Sequence, residues 1–155
     1  MMGAWEIATG ATALAAAASG GAFLPYSTFT SAAVASLPDR EGLRAMQAIN
    51  VEAPRSGTFM ALVFGTGALA AVVGVRAVLD SGPGTWWIVG GTLVYVIGVV
   101  GMTAGYHIPR NNALDTLDAA AFPAWMRSWV RGNHVRTVGG LLAGALIGIG
   151  VLAAA

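Results

Sequence analysis

Cysteine is absent from the 155 residues, which excludes disulfide bonds, a thiolate metal site and a cysteine nucleophile. Lysine is also absent, so all eight basic residues are arginines, and charged residues make up only 10% of the chain. Soluble domains carry roughly a quarter charged residues. The shortage of charge therefore argues against a water-soluble protein. With no lysine cluster, P-loop or dinucleotide fingerprint, the sequence also gives no indication of a nucleic-acid partner.

Long apolar runs take the place of charge: 56% of the residues are hydrophobic, and the mean hydropathy is +0.70. A bilayer core about 30 Å thick needs roughly 20 apolar residues in a helix. Four stretches meet this requirement, at about residues 5–37, 57–79, 85–106 and 135–155. The sequence therefore predicts an all-α integral membrane four-helix bundle, with residues 1–155 as a single domain.

Two features within these stretches predict local structure. Pro25 removes a helical hydrogen bond, so we expect a kink between Gly20 and Tyr26 in the first stretch. The 22 glycines sit beside alanines, as is typical of closely packed membrane helices, and such faces also permit a homo-oligomer. The first arginine is Arg40, and a cleaved signal peptide would carry basic residues near its start. We therefore expect the first stretch to be retained.

The arginines predict an orientation in the bilayer. Seven of the eight lie in the two longer connections or at the entry to the last stretch, and Arg76 alone lies near the other side. Cytoplasmic loops carry an excess of arginine and lysine. We therefore expect both long connections to be cytoplasmic and both termini to be external.

Each long connection contains a pattern typical of an amphipathic helix. In residues 38–54, one face carries Leu43, Met46, Gln47 and Asn50 and the other Glu41, Arg44 and Glu52. After Tyr106, one face carries Phe122, Trp125, Met126 and Trp129 and the other Arg127 and Arg131. The sequence thus predicts two short amphipathic cytoplasmic helices. If the second continued through Gly132, Asn133 and Arg136 would join its tryptophan face, and His134 would not.

Polar side chains gather at this same end of the bundle, and ionisable or amide groups near a membrane are costly unless they are satisfied. His107 and His134 are either a catalytic base or metal ligands, or residues that cap helix ends. The asparagines 111 and 112 either turn the chain or contribute to a site. Trp125 and Trp129 form either an interfacial belt or the walls of a pocket for a flat aromatic molecule.

Three stretches, taken together, resemble a family of small membrane proteins that includes the anthrone oxygenases. They are residues 21–29, residues 44–50, and residues 107–114 with Trp125, Trp129 and residues 133–137. The most specific part is a Pro-x-Asn-Asn/Asp-x-Leu element, a tryptophan-rich spacer and Asn-His-x-Arg-Thr. Many members carry asparagine at the position of His107, so the resemblance favours His134 as the family's base.

The resemblance implies oxidation of an anthrone, or another small hydrophobic aromatic substrate, by dioxygen without an added cofactor. Under this hypothesis His134 is the base, and Arg136 with Asn133 or Asn112 donates hydrogen bonds to the developing oxyanion. The expected substrate-binding residues are Tyr26, Gln47, Asn50, His107, Trp125 and Trp129. Bringing His134 to the tryptophan face would need a helix break at Gly132.

A second hypothesis is a non-catalytic membrane module that binds haem, a quinone or a partner subunit. It would use His107 or His134 as ligands of haem iron or of a metal. Two histidines are a weak metal signal on their own, because a stable site usually has further ligands. The sequence therefore predicts no resident metal or cofactor and keeps haem or a metal as the alternative.

Overall fold

The computed structural model describes residues 3–154 and builds them from helices, with no strand in that range. Four stretches are long and apolar enough to cross a membrane: Ala4–Ala35, Gly57–Asp80, Thr85–Thr116 and Ala119–Ala154. We call them the first to the fourth span. A fifth helix, Asp39–Arg55, joins the first two spans and is called the connecting helix. The predicted integral membrane four-helix bundle is confirmed.

The first span consists of two helices, Ala4–Ser27 and Phe29–Ala35. Thr28 between them has φ −129° and ψ −105°, and its N–H donates to the carbonyl oxygen of Pro25. The predicted kink within residues 20–26 was therefore wrong in position. The helix runs through Pro25 and is interrupted at Thr28, three residues after the proline that removes a donor from the helical ladder.

The second and third spans are helices interrupted by π turns. The second consists of Gly57–Met60, the π segment Ala61–Gly65 and Thr66–Asp80. The third consists of Thr85–Tyr95, the π segments Val96–Gly101 and Thr103–His107, Ile108–Asn112 and the 3₁₀ turn Ala113–Thr116. The third span thus continues about ten residues beyond its predicted end near residue 106.

Tyr95 ties three spans together at the centre of the bundle. Its side chain is fully buried. The hydroxyl lies 2.9 Å from Ser19 Oγ of the first span and 3.0 Å from the carbonyl oxygen of Val63. Val63 belongs to a π segment, where the widened turn changes the usual helical pairing of carbonyls. The phenol therefore satisfies polar groups that lipid could not.

The fourth span is one continuous helix, Phe122–Ala154, preceded by the 3₁₀ turn Ala119–Ala121. The predicted second amphipathic segment is therefore the first part of this long helix and not a separate element. No break occurs at Gly132. The predicted faces are confirmed, because Phe122, Met126 and Trp129 are buried while Arg127 and Arg131 are exposed.

The connecting helix agrees with its predicted pattern. Leu43 and Met46 are buried, while Arg44 and Glu52 are exposed. The two apolar side chains pack in one cluster with Leu114, Phe122, Met126 and Trp129, among others. The connecting helix thereby closes one end of the bundle, next to the tryptophans of the fourth span.

Glycines set the distance between the spans. A Cβ added to Gly140 would lie 2.6 Å from the Cα of Gly20, which places the backbones of the first and fourth spans in contact. A Cβ added to Gly139 would lie 3.3 Å from the Cα of Gly98 on the third span. Close approach of this kind is how small residues stabilise helix pairs in lipid.

The bundle has two different ends. At the turn end, Trp5, Asp80 and Val151 line one cleft, so the beginning of the first span, the turn between the second and third spans and the end of the fourth lie together. The polar end contains Tyr26, the connecting helix and the connection between the third and fourth spans. Which end faces the cytoplasm stays a prediction from the arginines.

Candidate functional site

Asn133 is the centre of a buried hydrogen-bond network at the polar end. Its Nδ2 donates to the carbonyl oxygen of Phe23 at 2.9 Å and to Ser27 Oγ at 2.8 Å. Ser27 Oγ also lies 2.7 Å from Thr137 Oγ1, and Arg136 Nη2 donates to Asn133 Oδ1 at 2.6 Å. We call these residues the Asn133 network. It attaches the fourth span to the last turn of the helix that contains Pro25.

Arg136 is a buried cation without a carboxylate beside it. Its side chain is 6% exposed, and the ion pairs found within residues 3–154 involve other arginines. The guanidinium carbon lies 4.2 Å from the ring centroid of Phe23 and 5.4 Å from that of Trp129. A cation over an aromatic face is attracted by the ring quadrupole, most strongly when desolvated. The two rings and the amide of Asn133 are thus the groups that accommodate this charge.

His107 is fully buried beside Trp129. Its ring packs edge-on against Tyr106 and Trp129, at centroid distances of 5.2 and 5.1 Å. Neither ring nitrogen has a hydrogen-bond partner within residues 3–154. A Cβ on Gly132 would clash with the ring of Tyr106 and lie 3.0 Å from His107 Nε2. Gly132 is therefore the residue that admits both rings to the surface of the fourth span.

The predicted pocket walls, Trp125 and Trp129, pack on each other. Their rings are stacked at 6.2 Å, and Phe122 stacks on Trp125 at 6.0 Å. Both indole N–H groups are used: Trp125 donates to the carbonyl oxygen of Arg110 and Trp129 to Asn111 Oδ1. In this arrangement the tryptophans serve as packing between the end of the third span and the fourth span.

The two amides of the connecting helix bind backbone. Gln47 Nε2 donates to the carbonyl oxygen of Leu114 at 2.8 Å, and Asn50 Nδ2 donates to that of Asn111 at 3.3 Å. The carbonyls at the end of a helix lack intrahelical donors. These two side chains therefore each use one amide N–H to satisfy a carbonyl at the end of the third span.

His134 faces away from the Asn133 network. It is exposed and lies in a groove of about 590 Å³ between the third and fourth spans. The other lining residues are apolar: Leu93, Val94, Ile97, Gly98, Val135, Val138, Gly139 and Leu142. The backbone contact between Gly98 and Gly139 forms the floor. We call this the His134 groove.

The groove has the chemistry of a site for a hydrophobic molecule. Binding pockets for small molecules measure about 300–1,000 Å³ and combine apolar walls with a few placed polar groups. Here the surface is almost entirely apolar, and His134 is the one lining residue with an ionisable side chain. The walls belong to the outer surfaces of two helices that are apolar enough to cross a membrane, so the groove opens away from the interior of the bundle.

A comparison with protein families assigns the chain. The model of the family described as Anthrone oxygenase matches residues 56–146, more than half of the chain. The chain belongs to this family. In this anthrone oxygenase family member, the matched range includes both walls of the His134 groove, His107 and the fourth-span part of the Asn133 network. No curated protein and no solved structure matches the chain.

The site residues predicted from the sequence lie in separate parts of this family member. Asn133, Arg136, His107 and Trp129 lie together inside the bundle, and Tyr26 joins them through an edge-on contact with Trp129 at 6.3 Å. His134 lies outside, in its groove. Asn112 is exposed on the short helix Ile108–Asn112 and does not line the groove. Arg136 and Asn133 are therefore not positioned as oxyanion donors to a substrate bound beside His134.

Several residues of these places were not predicted as site residues. Ser27 and Thr137 belong to the stretches that carry the family resemblance. Because they are next to Tyr26 and Arg136 in the sequence, their hydroxyls could have been predicted as part of the same site. Asn111, whose side-chain oxygen accepts a hydrogen bond from the indole N–H of Trp129, is next to the predicted site residue Asn112 in the sequence. For the groove walls Leu93 and Ile97 the sequence gives no signal, because apolar residues occur throughout a membrane span.

Proposed function

We propose that this family member oxidises a fused-ring aromatic ketone of the anthrone class with dioxygen, and that His134 removes the proton that starts the reaction. The observation that carries the proposal is the His134 groove. A single ionisable side chain lies in an otherwise apolar groove of about 590 Å³. A hydrophobic ring system dissolved in the bilayer could enter this space laterally, since the groove faces lipid.

The chemistry requires little beyond a base and an apolar surface. Removing a proton from the methylene carbon between two aromatic rings gives a carbanion whose charge spreads onto the ketone oxygen. Dioxygen adds to this carbon and gives a hydroperoxide once its terminal oxygen is protonated. Loss of water then converts the former CH₂ into a second carbonyl. One oxygen atom of O₂ ends in the product and the other in water, so the reaction balances without another oxidant.

Each part of the groove contributes to this scheme. His134 accepts the first carbon-bound proton and gives it to the terminal peroxide oxygen, and it then removes the second carbon-bound proton and transfers it to the hydroxide that leaves as the O–O bond breaks. The apolar walls, such as Ile97 and Val138, hold the rings and orient the methylene towards the imidazole, which is how positioning lowers a reaction barrier. The buried Asn133 network has a different role, because it holds the fourth span, and with it His134, in register against the first span.

The test is oxygen uptake by purified protein in lipid nanodiscs with anthrone, corrected for the spontaneous oxidation of anthrone without protein. General-base catalysis contributes about 10²–10⁴-fold in rate, so His134→Gln is expected to lower the corrected rate at least about 100-fold. Asn112→Ala, outside the groove, serves as the control and should keep the rate. A full rate in His134→Gln would exclude His134 as the base.

The same preparation tests the alternative of a non-catalytic module. A haem protein would show a Soret band that is lost on replacing His107 or His134, whereas colourless protein with anthrone-dependent oxygen uptake supports the oxygenase. Binding of an anthraquinone to the groove without any oxygen uptake from anthrone would favour a quinone-binding module instead.

A further inference from the structure

The outer face of the fourth span carries two arginines in line with His134. Arg127, Arg131 and His134 have the spacing i, i+4, i+7, and Val138 continues the same face into the groove. At 100° per residue these positions fall within an arc of about 60°. All four side chains are exposed. A cationic patch therefore lies at the polar end of the groove, on the same face as the groove itself.

The charge of these arginines is not compensated within the described chain. The ion pairs in residues 3–154 are Arg55–Glu52 and Arg76–Asp80, both elsewhere. The third span carries no acidic residue between Thr85 and Arg110. The nearest carboxylates in sequence, Asp115 and Asp118, are exposed on the connection before the fourth span and lie beyond 4.0 Å from any arginine. An anionic group at this end of the groove would therefore meet complementary charge.

The spacing suits a substituent on a linear ring system. Arg131 lies three residues before His134, which is about 4.5 Å along the helix axis. When the central ring of a three-ring molecule lies beside His134 and the molecule follows the groove, an outer ring extends towards Arg131. Arg127 lies one turn further towards the polar end, about 6 Å from Arg131 along the helix axis, and adds positive charge on the same face.

From this geometry we propose that the ligand of the His134 groove is a fused-ring aromatic carboxylic acid, whose carboxylate is bound by Arg131 and Arg127 while its rings lie against Ile97 and Val138. The inference rests on the proposed function for the reaction at His134 and adds the class of substrate. A planar guanidinium matches a carboxylate with two parallel hydrogen bonds. The arginines thus select among hydrophobic aromatics by charge.

The experiment compares anthrone with an anthrone that bears a carboxylate on an outer ring. Ion pairs at exposed sites contribute little individually, so the double variant Arg127→Gln/Arg131→Gln should raise the KM of the acid about twofold to thirtyfold. The kinetics of anthrone itself should not change. The matched control is Arg40→Gln/Arg44→Gln, an exposed pair with the same i, i+4 spacing on the connecting helix, and it should leave both substrates unaffected.

A binding measurement separates this inference from the proposed function. Tryptophan quenching by anthraquinone and by an anthraquinone carboxylate needs no turnover. One outcome is that the protein consumes no oxygen and yet binds the acid more tightly than anthraquinone, with the difference lost in the Arg127→Gln/Arg131→Gln variant. In that case the oxygenase proposal fails and the ligand class is supported. Equal affinity of acid and neutral ring system in wild-type protein would overturn the ligand class.

Lipid composition provides the last comparison. Nanodiscs of phosphatidylcholine are expected to show the preference for the acid, and added phosphatidylglycerol should weaken it only modestly, by screening. If added phosphatidylglycerol abolished the preference for the acid, the arginines would bind a lipid headgroup and the inference would be wrong. The same conclusion would follow if the Arg127→Gln/Arg131→Gln variant lost binding of phosphatidylglycerol while the wild-type protein bound the acid no better than anthraquinone.

Discussion

The Nη2 atom of Arg136 lies 2.6 Å from the side-chain oxygen of Asn133, one helical turn earlier on the same span. Because this oxygen accepts from the guanidinium, the amide nitrogen points towards the first span and donates to Phe23 and Ser27. Arg136 therefore fixes which way the amide faces. The pair orients a contact between two spans as well as accommodating a buried cation.

Replacing Asn133 is expected to destabilise the bundle. Asn133→Ala leaves the guanidinium of Arg136, the carbonyl oxygen of Phe23 and the hydroxyl of Ser27 without this partner. Unsatisfied buried groups cost about 1–3 kcal/mol, so we expect the free energy of unfolding to fall by about 2–3 kcal/mol. Reversible unfolding in mixed micelles measures it. The exposed Asn112→Ala is the matched control, and an equal effect of both changes would contradict the role of the network.

Alanine at Gly140 should disrupt the contact between the first and fourth spans. The added Cβ would lie 2.6 Å from backbone atoms of Gly20, and backbone cannot move aside as a flexible side chain can. Overpacking costs typically about 1–3 kcal/mol, and we expect Gly140→Ala to reach the upper part of that range.

The controls for Gly140 are two glycines with open space. A Cβ on Gly21 or Gly148 meets no atom within 4 Å. Because alanine has a higher helix propensity than glycine, Gly21→Ala and Gly148→Ala should leave thermal stability unchanged or raise it. Stability retained by Gly140→Ala would show that the two spans do not touch through their backbones.

Tyr95→Phe isolates the contribution of the central hydroxyl. The ring stays packed, but Ser19 Oγ and the carbonyl oxygen of Val63 lose a partner at 2.9 and 3.0 Å. We expect a loss of about 1–2 kcal/mol in the free energy of unfolding. The half-buried Tyr26, whose hydroxyl has no hydrogen-bond partner within residues 3–154, offers Tyr26→Phe as the control. Identical stability of wild type and Tyr95→Phe would refute the prediction.

The absence of native cysteine makes the orientation directly testable. A single cysteine at exposed Ser81 marks the turn end, and one at exposed Ser36 marks the polar end. The arginine distribution predicts that an impermeant maleimide labels Ser81→Cys on intact cells and labels Ser36→Cys only after the cells are opened. The reverse labelling pattern would place the connections outside.

Helix periodicity predicted the faces of the fourth span well. Because successive residues turn by 100°, a continuous helix had to place Asn133 and Arg136 with Trp129 and to place His134 elsewhere, and this is what the structure shows. What the pattern could not decide was whether Gly132 breaks the helix. Its role depends on Tyr106 and His107, which reach it from another span.

Long-range partners explain the remaining differences. Gln47 and Asn50 were expected to bind substrate under the hypothesis drawn from the family resemblance. Their partners are the carbonyls of Leu114 and Asn111, which become available only because the third span runs past residue 106. The walls of the His134 groove depend on the approach of Gly98 to Gly139, a tertiary contact that hydropathy alone does not reveal.

The lateral opening of the His134 groove also determines how affinity for it should be expressed. A ligand that reaches Val138 and Ile97 through lipid equilibrates first between water and bilayer, and only then between bilayer and protein. Its occupancy depends on its mole fraction in the membrane, so diluting the same ligand into more lipid lowers occupancy at constant total concentration. Kinetic constants for such a protein are properties of a two-dimensional solution, and they are comparable between preparations only at equal lipid content.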